Sequence, residues 1–470
     1  MADTAHSDPE LARERFDSPE ELDTKLDRLV SLIQGSKHCV AFTGAGISTS
    51  AGIHDFRGPD GKWTRLAQGL EPLRGTDTRR AIPTATHRAL VALHRLGILK
   101  HTISQNCDGL HRRSGLPASA ISELHGNSNV EVCESSACGR SYFRDQRCSR
   151  AERGRDHFTG RLCLHCGGRL LEYTIDFGQL LPELPLAAAQ HHAGAADLHL
   201  VLGSSLSVAP ASDLPSATAA RGGAVVIVNL QRTALDDLAA IRIFARADTV
   251  MEGVMARLRL PIPPFALRRC IIISREAEGT VLVRSVDPDA PSEPVDHIEQ
   301  VAWARPGHAA AAQVLPAVAA EYPEASEGDV VIPSSRVAGG FEARLSGVSS
   351  MRPILSFAGH YGEPPLQLNL PVPPPVAGGS AHITVEYEPV VGRQWSLTLQ
   401  ESLAGGEAAD RPQCHPDYGT AHREYVIDGI MAQTARAGRE LSRAGAASLV
   451  DTNFGRKRAA AAAAHDRLAA

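Results

Sequence analysis

Several groups of residues in this 470-residue chain carry chemistry by type and spacing. The first is Thr43 to Trp63, TGAGISTSAGIHDFRGPDGKW, which follows the apolar run Cys39-Val40-Ala41-Phe42. A buried strand that breaks into Gly44 and Gly46, then into small hydroxyl residues, lets backbone approach an anion. The helix start expected after it offers unpaired N–H groups. The pattern predicts a dinucleotide pyrophosphate site, although a lone Gly-x-Gly equally suits a tight strand-to-helix turn. Asp55-Phe56-Arg57-Gly58 places an acid, an aromatic ring and a guanidinium beside it.

Polar groups also follow other apolar runs: Gln105-Asn106-Cys107-Asp108-Gly109, His125-Gly126-Asn127, Gly203-Ser204-Ser205 and Asn229-Leu230-Gln231. Cys133-x4-Cys138 and Cys163-x2-Cys166 form a further set. Two thiolate pairs can close a tetrahedral Zn2+ site with no open position, which makes the metal structural. Cys148 and His165 are spare candidates, and Cys39, Cys107, Cys270 and Cys414 read as isolated thiols.

These groups need a scaffold. The runs Thr102–Ser104, Ile121–Leu124, Leu198–Leu202 and Val225–Val228 are short, apolar and β-rich, as in strands buried on both faces. Polar residues beyond the carboxyl ends of parallel strands are where open α/β sheets bind ligands. Helical patterns separate some runs, and Thr86 to Leu96 is one. Ser18-Pro19-Glu20-Glu21 predicts a capped helix start, with Leu22, Leu26, Leu29, Val30 and Ile33 on one face and Gly35 at its end. The fold class is therefore α/β, with a parallel sheet at residues 18–265, a zinc-binding insert at about 128–175 and a β-rich region at 266–403.

Residues 1–17 read as a mobile tail. The segment 404–470 reads as an Ala/Arg-rich tail, with Glu424 to Arg443 a possible helix and Phe454-Gly455-Arg456-Lys457-Arg458 a small basic cluster. Pro371 to Pro375 suits a joint at the edge of a β module. With 48 basic and 53 acidic side chains the net charge of -5 excludes a general polyanion binder, leaving only local patches for nucleic acid. Nine cysteines in a chain of this size do not make a disulfide scaffold. No apolar run is long enough to span a bilayer, and the acidic start lacks a secretory pattern. The expectation is a soluble intracellular protein without membrane partners.

Taken together, GAGISTSAGIHDFRG, QNCDGLH, ELHGN, the cysteine pairs, LGSSLSV and VNLQ resemble the sirtuin family, over roughly residues 18–265. FRGPDGKWT, HFTGRLC and VNLQRTALDD resemble its class IV branch, the nuclear, chromatin-associated one. The resemblance implies a Rossmann-like domain with a zinc-bearing insert, where NAD and an acyl-lysine peptide meet in a cleft. The reaction it implies is deacylation that consumes NAD and releases nicotinamide. His125 is then the general base on a ribose hydroxyl, a task suited to a group titrating near neutrality. Asn106 and Asp108 orient the nicotinamide carboxamide and its ribose, and Gln105 meets the ribose hydroxyls. Gly44, Ala45, Gly46 and Ser204 cradle phosphate, and Asn229 reaches the adenosine ribose. Phe56 and Arg57 belong to a mobile cofactor loop. Ser48, Asp55, Trp63, Gly203, Ser205, Leu230 and Gln231 complete the cofactor contacts, and Ile175, Phe177 and Gly178 the substrate contacts.

The chain departs from the family pattern at His54, where proline is usual, at Asp176, where many members carry histidine, and at Gln179, where an acid is usual. These positions bear on loop rigidity and substrate range. The implied partners are an acylated histone or other nuclear protein, with chromatin or RNA association, and the implied compartment is the nucleus, with the cytoplasm as the alternative. Mono-ADP-ribosyl transfer is a second reading of the same pocket, and a chromatin- or RNA-bound scaffold with a vestigial site is a third.

Overall fold

The computed structural model describes residues 5–402 apart from 7, 79, 145–147, 149–156, 164, 276–279, 288–289, 296–297, 305–331, 338–339, 346–351, 358–360, 362–365, 369–379, 388 and 390–395. Cys414, the Pro371 to Pro375 joint, the Glu424 to Arg443 segment and the Phe454 to Arg458 cluster lie outside the described residues.

The core is a six-stranded parallel sheet. Its strands are β1 (Cys39–Thr43), β2 (Leu99–Ser104) and β3 (Ile121–Glu123), then, after an insert carrying β4 (Gly126–Cys133), β5 (Ser141–Phe143), β6 (Phe158–Leu162) and β7 (Arg169–Thr174), β8 (Leu198–Leu202), β9 (Ala224–Val228) and β10 (Ile241–Ile243). The spatial order is β10-β9-β8-β1-β2-β3, so the chain reverses direction of growth at β1. Phe42 of β1 stands between Ile103 of β2 and Val201 of β8. Every residue of β1 and β8 is buried, including the polar Thr43 and His199, as in a sheet covered on both faces.

The covering helices are α1 (Pro9–Ala12), α2 (Pro19–Gly35), α3 (Lys62–Ala67), α4 (Ala85–Arg95), α5 (Leu110–Arg113), α6 (Glu183–Ala195), α7 (Leu214–Ala220) and α8 (Ala247–Leu258). Leu29 of α2, Leu90 of α4 and Val250 of α8 pack with Ala41 and Leu200 on one face, while Ala193 of α6 and Leu214 of α7 pack with Phe42 and Val201 on the other. Each fully buried leucine contributes about 2 kcal/mol of hydrophobic stabilisation. Ser18 caps α2 reciprocally with Glu21, as the sequence predicts.

Residues 8–17, expected to be mobile, lie against the core. The Arg15 and Asp17 amides donate to Leu230 O and Phe244 O, each at 2.8 Å, and Lys25 pairs with Asp17 at 2.6 Å. Backbone groups make most of this attachment, so the polar side chains gave no signal of it.

The insert is an antiparallel sheet of order β5-β4-β7-β6. It starts one residue after His125, at Gly126, whose φ is +76° and whose added Cβ would stand 2.1 Å from Tyr173 O. Only glycine fits there, so the insert is joined tightly to the sheet at His125.

Among the described residues beyond Pro261, the regular structure is all β. β11 (Leu267–Arg275), β12 (Thr280–Asp287), β13 (Ala290–Val295), β14 (Ile298–Ala304), β15 (Ile332–Pro333), β16 (Ser335–Val337), β17 (Gly340–Arg344), β18 (Arg352–Phe357), β19 (Leu366–Gln367), β20 (Ser380–Tyr387) and β21 (Ser396–Ser402) form two antiparallel sheets. Trp303, Phe341, Leu355 and Val385 belong to one shared core. The module meets the α/β domain through Phe265, Leu267 and Tyr387 packed with Ile82 and Tyr361, and Tyr361 donates to Ala81 O at 3.2 Å.

Candidate active site

The loops after β1, β2, β3, β8 and β9 converge at the carboxyl edge of the sheet. The glycine segment does not begin a helix, as expected, but forms two 3-10 turns, Ala45–Ile47 and Thr49–Ala51. The reason its glycines are needed also differs. Gly44 has an extended backbone, φ −128° and ψ −176°, that any residue could adopt. A Cβ on Gly44 would lie 2.7 Å from Gly203 O, and one on Gly46 would lie 2.8 Å from the Gly203 Cα. The two loops touch backbone to backbone, with Gly46 N donating to Gly203 O at 2.8 Å. Glycine thus lets the β1 and β8 loops close on one another, forming a small-residue floor that includes Ala45 and Ser204.

Ser204 Oγ donates to Gln105 Oε1 at 2.8 Å, linking that floor to the β2 loop. Asn106 Nδ2 donates to Gly44 O at 3.1 Å and Ser48 Oγ at 3.3 Å, which fixes the plane of its amide and leaves Oδ1 out of both bonds. The Ser48 hydroxyl donates in turn to Asp108 Oδ2 at 2.7 Å. Ser48 therefore bridges Asn106 and Asp108.

His125 Nδ1 is 3.0 Å from Gln105 O. A carbonyl only accepts, so Nδ1 carries the proton and Nε2 presents a lone pair. Burial pushes the pKa of His125 down, while the bond to Gln105 O acts in the opposite sense.

The loop from Ile53 to Trp63 is organised around Asp55. Its carboxylate accepts from Gly58 N at 2.9 Å and would collide with a Cβ on Gly58 or Gly61. Burial raises the pKa of Asp55, with the Gly58 amide opposing. Phe56 stacks on Trp63 at 5.9 Å, and Trp63 reaches Phe177 at 6.2 Å, so an aromatic series joins this loop to the end of the insert. A cavity of about 230 Å3 beside it is lined by His54, Asp55, Phe56, Leu73 and Thr76 among others. His54 is exposed.

On the β9 side, Asn229 Nδ2 donates to Gln231 O at 2.9 Å. Gln231 Nε2 donates to Ala12 O at 2.8 Å and to Arg57 O at 2.9 Å, so it ties residues 8–17 to the loop. Leu230 O accepts from Arg15, and Ser205 O accepts from Ser207 Oγ at 3.3 Å. Sequence reasoning missed two supports. Arg242, in ion pair with Asp236 at 2.8 Å, donates to Asn229 O, and Asp248 accepts from Thr86 and from Ser50 beside the glycine turn. A cation or an acid in a nondescript helix or strand gives no local motif.

Beyond β7, Ile175 N donates to His125 O at 3.1 Å, Phe177 is exposed, and Gly178 has φ +91°. Asp176 and Gln179 both reach His157 Nε2, the Asp176 carboxylate at 3.4 Å and the Gln179 side-chain amide at 3.2 Å.

The thiols of Cys133, Cys138, Cys163 and Cys166 lie within 4.8 Å of one another. Two sulfur pairs are separated by 3.4 and 3.7 Å, close to the ~3.8 Å edge of a tetrahedron with Zn–S bonds of ~2.3 Å. Both are far longer than a disulfide. A Cβ on Gly168 would stand 3.1 Å from Cys133 Sγ, so the donor set and its close packing fit one Zn2+. Cys148 is buried apart from this group, and its carbonyl accepts from Arg161.

Comparison with known proteins follows the same lines. The Sir2 family pattern matches residues 71–210. The NAD-dependent protein deacetylase SRT1 of Arabidopsis thaliana is 47% identical over 255 residues, 54% of this chain and 53% of that protein. Human NAD-dependent protein deacetylase sirtuin-7 is 43% identical over 256 residues, 53% of this chain and 64% of that protein. The Drosophila melanogaster NAD-dependent protein deacetylase Sirt6 is 40% identical over 263 residues, 54% of this chain and 82% of that protein. The chain belongs to the Sir2 family. It spans about half the length of the Arabidopsis relative, so what the whole protein does is a separate question.

Proposed function

We propose that this chain is an NAD-dependent protein-lysine deacylase, acting on acetylated or longer-chain acylated lysines of histones or other nuclear proteins. The observation that carries the reading is His125, whose Nε2 lone pair is held at the same strand edge as the Asn106–Ser48–Asp108 bridge and the glycine floor. Its relatives, which are NAD-dependent protein deacetylases, support the activity, and the class IV motifs support a nuclear target. Residues 18–265 form the catalytic unit with the insert at about 128–175, and 266–403 is a separate β module.

Bound NAD supplies the ribose carbon that the acyl oxygen attacks as nicotinamide leaves. Gly44, Ala45, Gly46, Gly203, Ser204 and Ser205 receive its phosphates. Asn229, Leu230 and Gln231 receive the adenosine side, which requires Gln231 to share or exchange its bonds to Ala12 and Arg57. Asn106 and Asp108 orient the nicotinamide end, and Gln105 the ribose. His125 Nε2 takes the ribose hydroxyl proton, and its Nδ1–H stays on Gln105 O. Asp55 holds the loop that brings Phe56, Arg57 and Trp63 over the sugar and excludes water. Ile175, Phe177 and Gly178 line the peptide path, where an extended substrate can pair as a strand. Zn2+ on the four cysteines is structural.

The test incubates the full chain with NAD and acylated histone peptides and compares wild type with His125→Ala. Acyl-ADP-ribose formed by wild type and lost in the variant is the expected result. Label transferred to protein would indicate ADP-ribosylation. Neither product across several acyl chains would favour a scaffold.

A further inference from the structure

Beneath the Asn106–Ser48–Asp108 bridge a chain of hydrogen bonds through side chains and backbone amides leads back to Asp108. Asp108 Oδ1 accepts at 2.9 Å from the backbone N of Leu110, the first residue of the four-residue helix α5, which carries His111. His111 Nε2 is 2.8 Å from Thr43 Oγ1. The Thr43 hydroxyl donates to Ser104 Oγ at 3.0 Å, so it accepts from His111 Nε2–H. Ser104 Oγ also accepts from Asn106 N at 3.1 Å. Asn106 Nδ2 then returns through Ser48 to Asp108.

Thr43 and Ser104 are fully buried and His111 is 3% exposed, so none of the three meets solvent or a ligand directly. We propose that His111 is a positioning residue for the nicotinamide end of the site, fixing the Asn106 backbone through Thr43 and Ser104 and the Asp108 carboxylate through α5. This rests on the deacylase reading for which ligand is positioned. Two observations make His111 the organiser. Among the described residues its side chain joins the β1–β2 hydroxyl pair to the helix whose first amide Asp108 accepts, and its ring lies against His87 at 4.7 Å. Burial holds its pKa down to about 3, so the ring stays neutral with a single Nε2 proton.

The test is ligand affinity measured by calorimetry, without turnover, for NAD and for ADP-ribose, which lacks nicotinamide. His111→Phe removes the donor and keeps a ring; Thr43→Val removes the relay hydroxyl at equal volume; His111→Gln restores an N–H donor. Each broken link costs about one net hydrogen bond, so NAD affinity should fall about five- to tenfold in His111→Phe and Thr43→Val. ADP-ribose, which keeps the ribose but lacks the carboxamide, should lose clearly less affinity than NAD, and His111→Gln should recover most of the NAD loss. Equal weakening of both ligands would mean general loosening and overturn the proposal, as would unchanged NAD affinity in a folded variant. Should His111→Phe fail to fold, Thr43→Val and His111→Gln give the same comparison. Wild-type protein that binds NAD yet forms no acyl-ADP-ribose would defeat the deacylase reading alone.

Discussion

His125 has one protonation state suited to its place. With Nδ1–H on Gln105 O, only the neutral ring has a free Nε2 lone pair, and burial depresses its pKa below the ordinary histidine value of 6.5. The form in which His125 could act as the proposed base is therefore full at neutral pH and is lost only as pH falls through that depressed value. The pH profile of kcat/KM should be flat around pH 7 with an acid limb below 6.5; a limb above 6.5 would assign it to another group. Gly44 makes a second prediction at this scale. Gly44→Ala forces a Cβ against Gly203 O, an overpacking that costs about 1–3 kcal/mol, and both melting temperature and NAD affinity should fall. The need for glycine at residue 44 was legible in the sequence, but its cause was not, because the partner loop is some 160 residues away and no local pattern names it.

At the scale of elements, the strands, the capped helix and the cysteine pairs could be read directly, since each rests on local periodicity or spacing. The insert is the clearest case. The β4–β5 and β6–β7 connections bring the two thiol pairs to one point, and the core of the insert is small, with Tyr142 and Leu170 packed among the cysteines. Metal ligation must then supply much of its stability. Native mass spectrometry should find one zinc per chain, and Cys166→Ser or chelation should unfold the insert while the parallel sheet persists in far-UV circular dichroism. Zinc-free native protein with a folded insert would contradict the four-cysteine site. What stayed hidden were non-local supports: Arg242 under the Asn229 loop, Asp248 under the glycine turn, and residues 8–17 on the core.

For the molecule as a whole, buried histidines set the response to acid. His87, His111 and His199 are sealed in the α/β core, and burial lowers each pKa to about 3. The unfolded chain protonates them below the ordinary value of 6.5, whereas the folded chain does so only near 3. Between those limits the unfolded state binds more protons, so stability is lost on acidification by about 1.4 kcal/mol per pH unit for each histidine. Chemical denaturation between pH 7 and 5 should show this loss, and His199→Gln should lessen its slope. The sequence revealed the α/β class and the β-rich second module. It was silent on their junction, where Tyr361, Phe265 and Ile82 meet as isolated apolar positions with no periodicity.

In the proposed reaction, cleavage of the nicotinamide bond is coupled to an acylated lysine. The most direct measurement follows free nicotinamide and acyl-ADP-ribose together, with and without acylated peptide. The proposed coupling predicts equal amounts of the two products and no nicotinamide release from unacylated peptide. Nicotinamide released without acylated lysine, or unaccompanied by acyl-ADP-ribose, would contradict it.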